Sequence, residues 1–208
     1  MGSPLTWARY FLTKIRVSFA QSLRSYEVGD IKEKEIYDHV FKNVLKGRLT
    51  FKHMIKGTEM TPTFASQGET LLIRSLPRPS PRSVFVGDVV MLKDPQNPET
   101  KLVRRIAALE GEEMVSLSAE DEPFKLAPGT CWVLCDNESI SPKSVGLQES
   151  RDSRSFGPLP LSNIVGRAIY GTRSPVDHGF VVNSDDAMHA DSPVLAVELD
   201  VEELTTEK

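Results

Sequence analysis

The sequence predicts a mainly β, antiparallel domain preceded by two N-terminal helices. Three observations carry this: helix-period apolar spacing before residue 48, short β-type runs after it, and Gly- or Pro-bearing turns between those runs. With 208 residues, the chain is long enough for one domain with a hydrophobic core, plus extensions. The expected division is a basic amphipathic segment at 1–26, a helix within 27–47, a β-domain at 48–174 and an acidic C-terminal tail at 175–208.

In the first segment Trp7, Phe11, Ile15, Phe19 and Leu23 recur every four residues. Arg9, Lys14, Arg16 and Arg24 all precede Glu27, the first acidic residue. This pattern fits an organelle-targeting presequence, a helix lying on an anionic membrane, or an amphipathic helix docked on its own domain. Met1-Gly-Ser-Pro-Leu-Thr6 also matches the loose myristoylation pattern. The second helix is expected from Asp30 to Leu45, with Ile31, Ile36, Val40, Phe41, Val44 and Leu45 on its buried side and Lys46-Gly47 as the stop. It is too charged to span a bilayer, and no run approaches the roughly 20 apolar residues a crossing needs.

Strands are expected at Leu49–Ile55, Thr70–Arg74, Asp88–Lys93, Leu102–Leu109, Glu113–Leu117, Thr130–Leu134 and Ile164–Tyr170. Pro77-Arg-Pro-Ser-Pro81, Asp94-Pro-Gln-Asn-Pro98 and Ala127-Pro-Gly129 separate them. In the tail, Pro193–Val201 alternates as an edge strand would; the simpler reading is an acidic, partly flexible end.

Charge and cysteine usage narrow the function. The last 34 residues hold nine carboxylates and one lysine, on a body whose balance is +4. An acidic tail on a mildly basic body is not the concentrated cationic face of a nucleic-acid binder. Cys131 and Cys135 lie four strand residues apart, roughly 13 Å, too far for a disulfide, so the chain fits a reducing compartment. His39, His53, His178 and His189 are scattered without metal-ligand spacing, so no metal is expected.

The motifs come in a fixed order: Gly57-Thr-Glu-Met-Thr-Pro-Thr63, Gly87-Asp-Val-Val90, Val103-Arg-Arg-Ile106 followed by Leu109-Glu-Gly-Glu112, Asp136-Asn137, Ser150-Arg-Asp-Ser-Arg154, Phe156-Gly-Pro158 and Ile164-Val-Gly-Arg167. Each alone is weak, but the ordered set over Lys56 to Tyr170 resembles the type I signal peptidase family, which includes the mitochondrial inner-membrane peptidases. The resemblance implies the signal-peptidase-type antiparallel β-domain. It also implies a serine peptidase that removes leader peptides beside a membrane, with a Ser nucleophile, a Lys general base and no cofactor or metal. Met60, Pro62, Asp136, Asn137, Asp152, Ser153 and Arg154 fall on its supporting motif positions.

The two catalytic positions depart from the family. Glu59 precedes Met60 where the resemblance requires Ser, and Arg104 follows Val103 where it requires Lys. The mechanism needs a hydroxyl to attack and a neutral amine to take its proton; arginine stays protonated and has no acceptor. Thr58, Thr61, Lys56 and Lys101 are the nearby substitutes, none well placed. Because the family's Ser and Lys lie within hydrogen-bond reach, Glu59 and Arg104 are expected to meet as a salt bridge. Cys135 stands where the family has Gly, which is expected to disturb a tight turn. With no site to organise, Asp152 and Arg154 are expected to stabilise the fold.

The expected protein is therefore a catalytically inactive, signal-peptidase-like structural or binding subunit of a mitochondrial inner-membrane assembly, the alternative being an active leader peptidase. Expected partners are other protein subunits, possible leader peptides, and a membrane surface through the N-terminal helix; nucleic acid is not among them. Location in another organelle, such as the plastid, is the alternative.

Overall fold

The computed structural model describes residues 3–115, 123–140 and 151–199. Helix α1 (Pro4–Val28) begins where Ser3 caps it, its hydroxyl accepting from the Thr6 N–H, with Pro4 supplying a preset φ at the first position. It ends at Gly29, whose φ of 87° closes the last turn. A single 3-10 turn (Glu33–Glu35) leads into α2 (Ile36–Lys46), later than the expected start at Asp30.

The strands are β1 (Thr50–Ile55), β2 (Glu69–Ser75), β3 (Val89–Lys93), β4 (Lys101–Leu109), β5 (Glu113–Met114), β6 (Phe124–Lys125), β7 (Thr130–Leu134), β8 (Leu159–Pro160), β9 (Ile164–Ser174) and β10 (Asp177–Phe180). A one-turn helix, α3 (Ser153–Phe156), precedes β8, and α4 (Asp185–Glu198) follows β10. Among the described residues, eight strands form one antiparallel sheet in the order β1-β2-β9-β3-β4-β7-β8, with β10 also on β9; β5 and β6 make a separate ribbon. The mainly antiparallel β expectation therefore holds. Each expected strand has a counterpart, with Leu117 of the fifth outside the described residues. Three short strands, β6, β8 and β10, went unread.

The sheet is covered on both faces. Along β3, Val90 and Leu92 join a cluster with Leu102, Ile106 and Val133, while Val89 and Met91 join Met60, Phe64, Ile73 and Val103. This explains why β3 reads as an unbroken apolar run: alternation marks a strand only when one face is wet. Gly166 of β9 passes so close to β2 that a Cβ there would collide with the Arg74 carbonyl.

Three expectations are corrected here. The Pro193–Val201 alternation is not a strand: 193–198 continues α4, and Asp200 and Val201 lie outside the described residues. The helical period wins because Ala187, Asp191, Val194 and Leu195 then share the face that packs on the domain. The segment 175–199 is thus a built part of the fold rather than a loose tail. Second, α2 has no fully buried residue: Ile36, Val40 and Val44 are half-buried, and Phe41 and Leu45 are exposed. Third, α1 does dock on the domain, but not through its apolar stripe. The buried line is Tyr10, Lys14, Ser18 and Ser22, with Tyr10 and Val17 packed against Leu49, Val194 and Val197. Small serines let α1 approach α2 closely, and the Ser22 hydroxyl hydrogen-bonds the His39 ring at 3.1 Å.

Candidate active site

The 57–63 box is a loop between β1 and β2, held from two sides. From within, Met60 is 2% exposed and plugs the cluster of Phe64, Ile73 and Val103. From outside, Asn137 straps the box: its N–H donates to the Glu59 carbonyl at 3.0 Å, and its Nδ2 donates to the Thr58 carbonyl at 2.8 Å and to Thr61 Oγ1 at 3.0 Å. Pro62 is exposed on the loop, after a cis peptide bond.

Next to Asn137, the Asp136 carboxylate takes a bidentate bond from Arg105, Nε at 2.9 Å and Nη2 at 2.7 Å. It also accepts from the Thr63 hydroxyl at 2.5 Å. The same guanidinium donates through Nη1 to the Gly87 carbonyl at 2.7 Å and the Val182 carbonyl at 3.1 Å. Arg105 therefore ties together the box, the Gly-Asp turn, the Asp-Asn turn and the segment after β10. Arg105 and Thr63 were not singled out from sequence. The signal was available: adjacent residues on a strand leave from opposite faces, so Arg104 and Arg105 cannot share a role.

Arg104 enters the other face of β4 and is 3% exposed. Its Nη1 donates to the Val103 carbonyl at 2.6 Å and its Nε to the Arg151 carbonyl at 2.9 Å, while Nη2 is buried without a hydrogen-bond partner. Among the described residues no ion pair joins Arg104 to Glu59, so the expected salt bridge is not formed. The reason lies in Glu59, whose carboxylate folds back over Gly57 and occupies the space where a Cβ would stand. At a φ of 113°, Gly57 is the one residue type that admits this fold-back without strain.

Behind Arg104 sits Asp152, fully buried. Its carboxylate accepts from the Cys135 N–H at 3.1 Å, the Arg154 N–H at 3.0 Å and the Arg154 guanidinium, Nη2 at 2.7 Å. Burial alone would raise its pKa, but the Arg154 guanidinium and these N–H donors outweigh burial and hold it below the ordinary carboxylate value. Ser153 is buried too, its hydroxyl accepting from the Val133 N–H at 2.9 Å. Ser150, the first residue of that motif, lies outside the described residues.

The expected disturbance at Cys135 is absent: no described non-glycine residue has a positive φ, so this turn never required glycine. Both cysteines are free, and burial pushes each thiol up to about 12. Thiolate chemistry is thereby suppressed at Cys135 even though it borders Arg104. Of the neighbouring hydroxyls, Thr61 Oγ1 donates to the Thr58 carbonyl at 2.8 Å and receives the Asn137 amide. Lys101 is exposed at the far end of β4, opposite Lys93.

No family model matches the sequence. The chain is 47% identical over 204 residues to the mitochondrial ATP-independent inner membrane protease subunit 2 of Arabidopsis thaliana, covering 98% of this chain and 97% of that protein. It is 31% identical over 135 residues to the mitochondrial inner membrane protease subunit 1 of Mus musculus, covering 63% of this chain and 74% of the relative. A signal peptidase I structure from Enterococcus faecalis matches 40% of this chain and 94% of its own at 22% identity, with a TM-score of 0.28, at which the likeness bears on nothing further. The ordered motifs and an identity running through nearly the whole length lead to one assignment: the chain belongs to the signal-peptidase-like mitochondrial inner membrane protease subunits, and its place is the mitochondrial inner membrane.

Proposed function

We propose that this chain is a catalytically silent subunit of its protease assembly, contributing structure or binding rather than peptide-bond cleavage. The observation that supports this most directly is Arg104. At the position of the general base stands a buried guanidinium, engaged with two backbone carbonyls and unable to accept a proton. Glu59, at the nucleophile position, offers no hydroxyl, and its carboxylate turns back over Gly57. What survives is the scaffold around the missing couple: the Asn137 strap, the Arg105–Asp136 pair and the Asp152–Arg154 pair. A domain that keeps these frames without the reacting groups is suited to holding other subunits, or a leader peptide, in place.

The second reading, an active leader peptidase, draws on the relatives, which are named as protease subunits. The two readings separate on incubating the purified full chain with a leader-bearing mitochondrial precursor. The expected result is an intact precursor. Cleavage at one bond, abolished by Thr58→Ala or Thr61→Ala, would overturn the silent assignment. Purification of the tagged chain from inner membranes is expected to bring other protease subunits with it.

A further inference from the structure

We propose that α1 is an interfacial helix, whose outward apolar stripe beds into the surface of an anionic phospholipid bilayer. Trp7, Phe11, Ile15 and Phe19 run down one flank of α1, and each is between 43% and 48% exposed; Leu5 and Leu12 reach 70% and 62%. Single exposed apolar residues are ordinary on a protein surface, but an aligned row of six on one helix marks a contact face. The domain has already taken the hold it needs on α1 through Tyr10, Lys14, Ser18 and Ser22. The stripe is left over by the fold rather than required by it.

Charge decides what covers it. From Pro4 to Tyr26 the helix has no carboxylate and four cations, Arg9, Lys14, Arg16 and Arg24. Thr13, Arg16, Val17 and Ala20 wall a cavity of about 270 Å³ in which Arg16, Arg74, Arg78, Arg82 and Arg167 face one lining carboxylate, Asp191. Arg74 and Arg167 share Asp191, and Arg78 pairs with Glu27. Among the described residues Arg16 and Arg82 have no ion-pair partner. A bilayer bearing anionic headgroups meets both demands at once, an apolar layer for the stripe and phosphates for the arginines. An apolar protein surface would meet only the first. Among the described residues no helix is long and apolar enough to cross a membrane; the contact proposed here lies in the membrane plane.

The test is flotation of the full chain with vesicles of four parts phosphatidylcholine to one part phosphatidylglycerol, against phosphatidylcholine alone. Binding is expected to the anionic vesicles and to weaken with added salt. Arg16→Gln and Arg82→Gln are each expected to weaken it about fivefold, the effect of about 1 kcal/mol per surface cation. Phe11→Ser with Phe19→Ser, both 47% exposed, is expected to abolish it while α1 stays docked through Tyr10, Lys14, Ser18 and Ser22, which far-UV circular dichroism and a cooperative melt check. In a Trp132→Phe background, Trp7 emission is expected to be quenched by acyl-brominated lipid. Absence of binding to the anionic vesicles, or binding indifferent to the Phe11/Phe19 change, overturns the proposal. So does a photocrosslinker at position 11 that captures a protein or a second copy instead of lipid in inner membranes. None of these readouts depends on whether the chain cleaves peptides.

Discussion

Asp152 is a fastener, a buried carboxylate that ties the Cys135 turn to the start of α3. Fully buried, it is matched by three donors from two segments, so removing it strands the Arg154 guanidinium and the Cys135 N–H without an acceptor. Asp152→Ala is therefore expected to cost about 1–3 kcal/mol of unfolding free energy in urea titration, the penalty for a buried donor left without its acceptor, since Arg154 itself reaches solvent. The pH dependence follows from the same geometry. The folded carboxyl titrates below its ordinary value of 3.8. Its contribution is thus complete above that value and is lost as the pH falls through the lower, folded one. Acid titration of stability should fall more steeply below about pH 4 in the wild type than in Asp152→Ala. Arg104 differs in kind, since its buried Nη2 has no partner.

Among the elements, α4 carries more than its composition suggests. Asp191 receives Arg167 through Nε and Nη2, both at 2.8 Å, and lies 3.6 Å from Arg74 Nε. Glu198 closes the start of β1, accepting from the Leu49 N–H, the Thr50 hydroxyl and the Tyr10 hydroxyl at 3.0, 3.0 and 2.7 Å. Asp191→Ala should cost about 3–5 kcal/mol and open α4 to limited proteolysis before the sheet is lost. This helix is also where sequence reading failed, and the reason is physical. Pro193 and the alternating run after it outweighed a start signal that was present: Ser184 caps the helix by accepting from the Ala187 N–H, with Asp185 and Asp186 in the first turn. The strands were legible because the turn formers between them are unambiguous. The motif positions of the site were legible by their order along the chain. The absence of a Glu59–Arg104 ion pair was not, since side-chain direction at Glu59 is set by the space above Gly57, which no spacing rule encodes. Similarly, the stripe on α1 was readable as apolar, but the line that docks was set by Tyr10 and two serines.

In the molecule as a whole, stability is graded from the centre outward. β9 pairs with β2, β3 and β10, and from Gly166 to Thr172 it is buried throughout. α2 rests on α1 without a single fully buried side chain. Hydrogen exchange should accordingly find the slowest amides between 166 and 172 and markedly faster ones between 36 and 46, with α1 intermediate. Rapid exchange along β9 would contradict the arrangement of two clusters on opposite faces of the sheet.

The two thiols have a consequence for the chemistry open to the protein. Burial pushes the Cys131 and Cys135 thiols each up to about 12, so thiolate is scarce near neutral pH, and both lie beneath the surface. Oxidants, glutathione and relay enzymes have almost nothing to attack. What these two side chains give the fold is buried volume between strands, with no thiol left at hand for exchange.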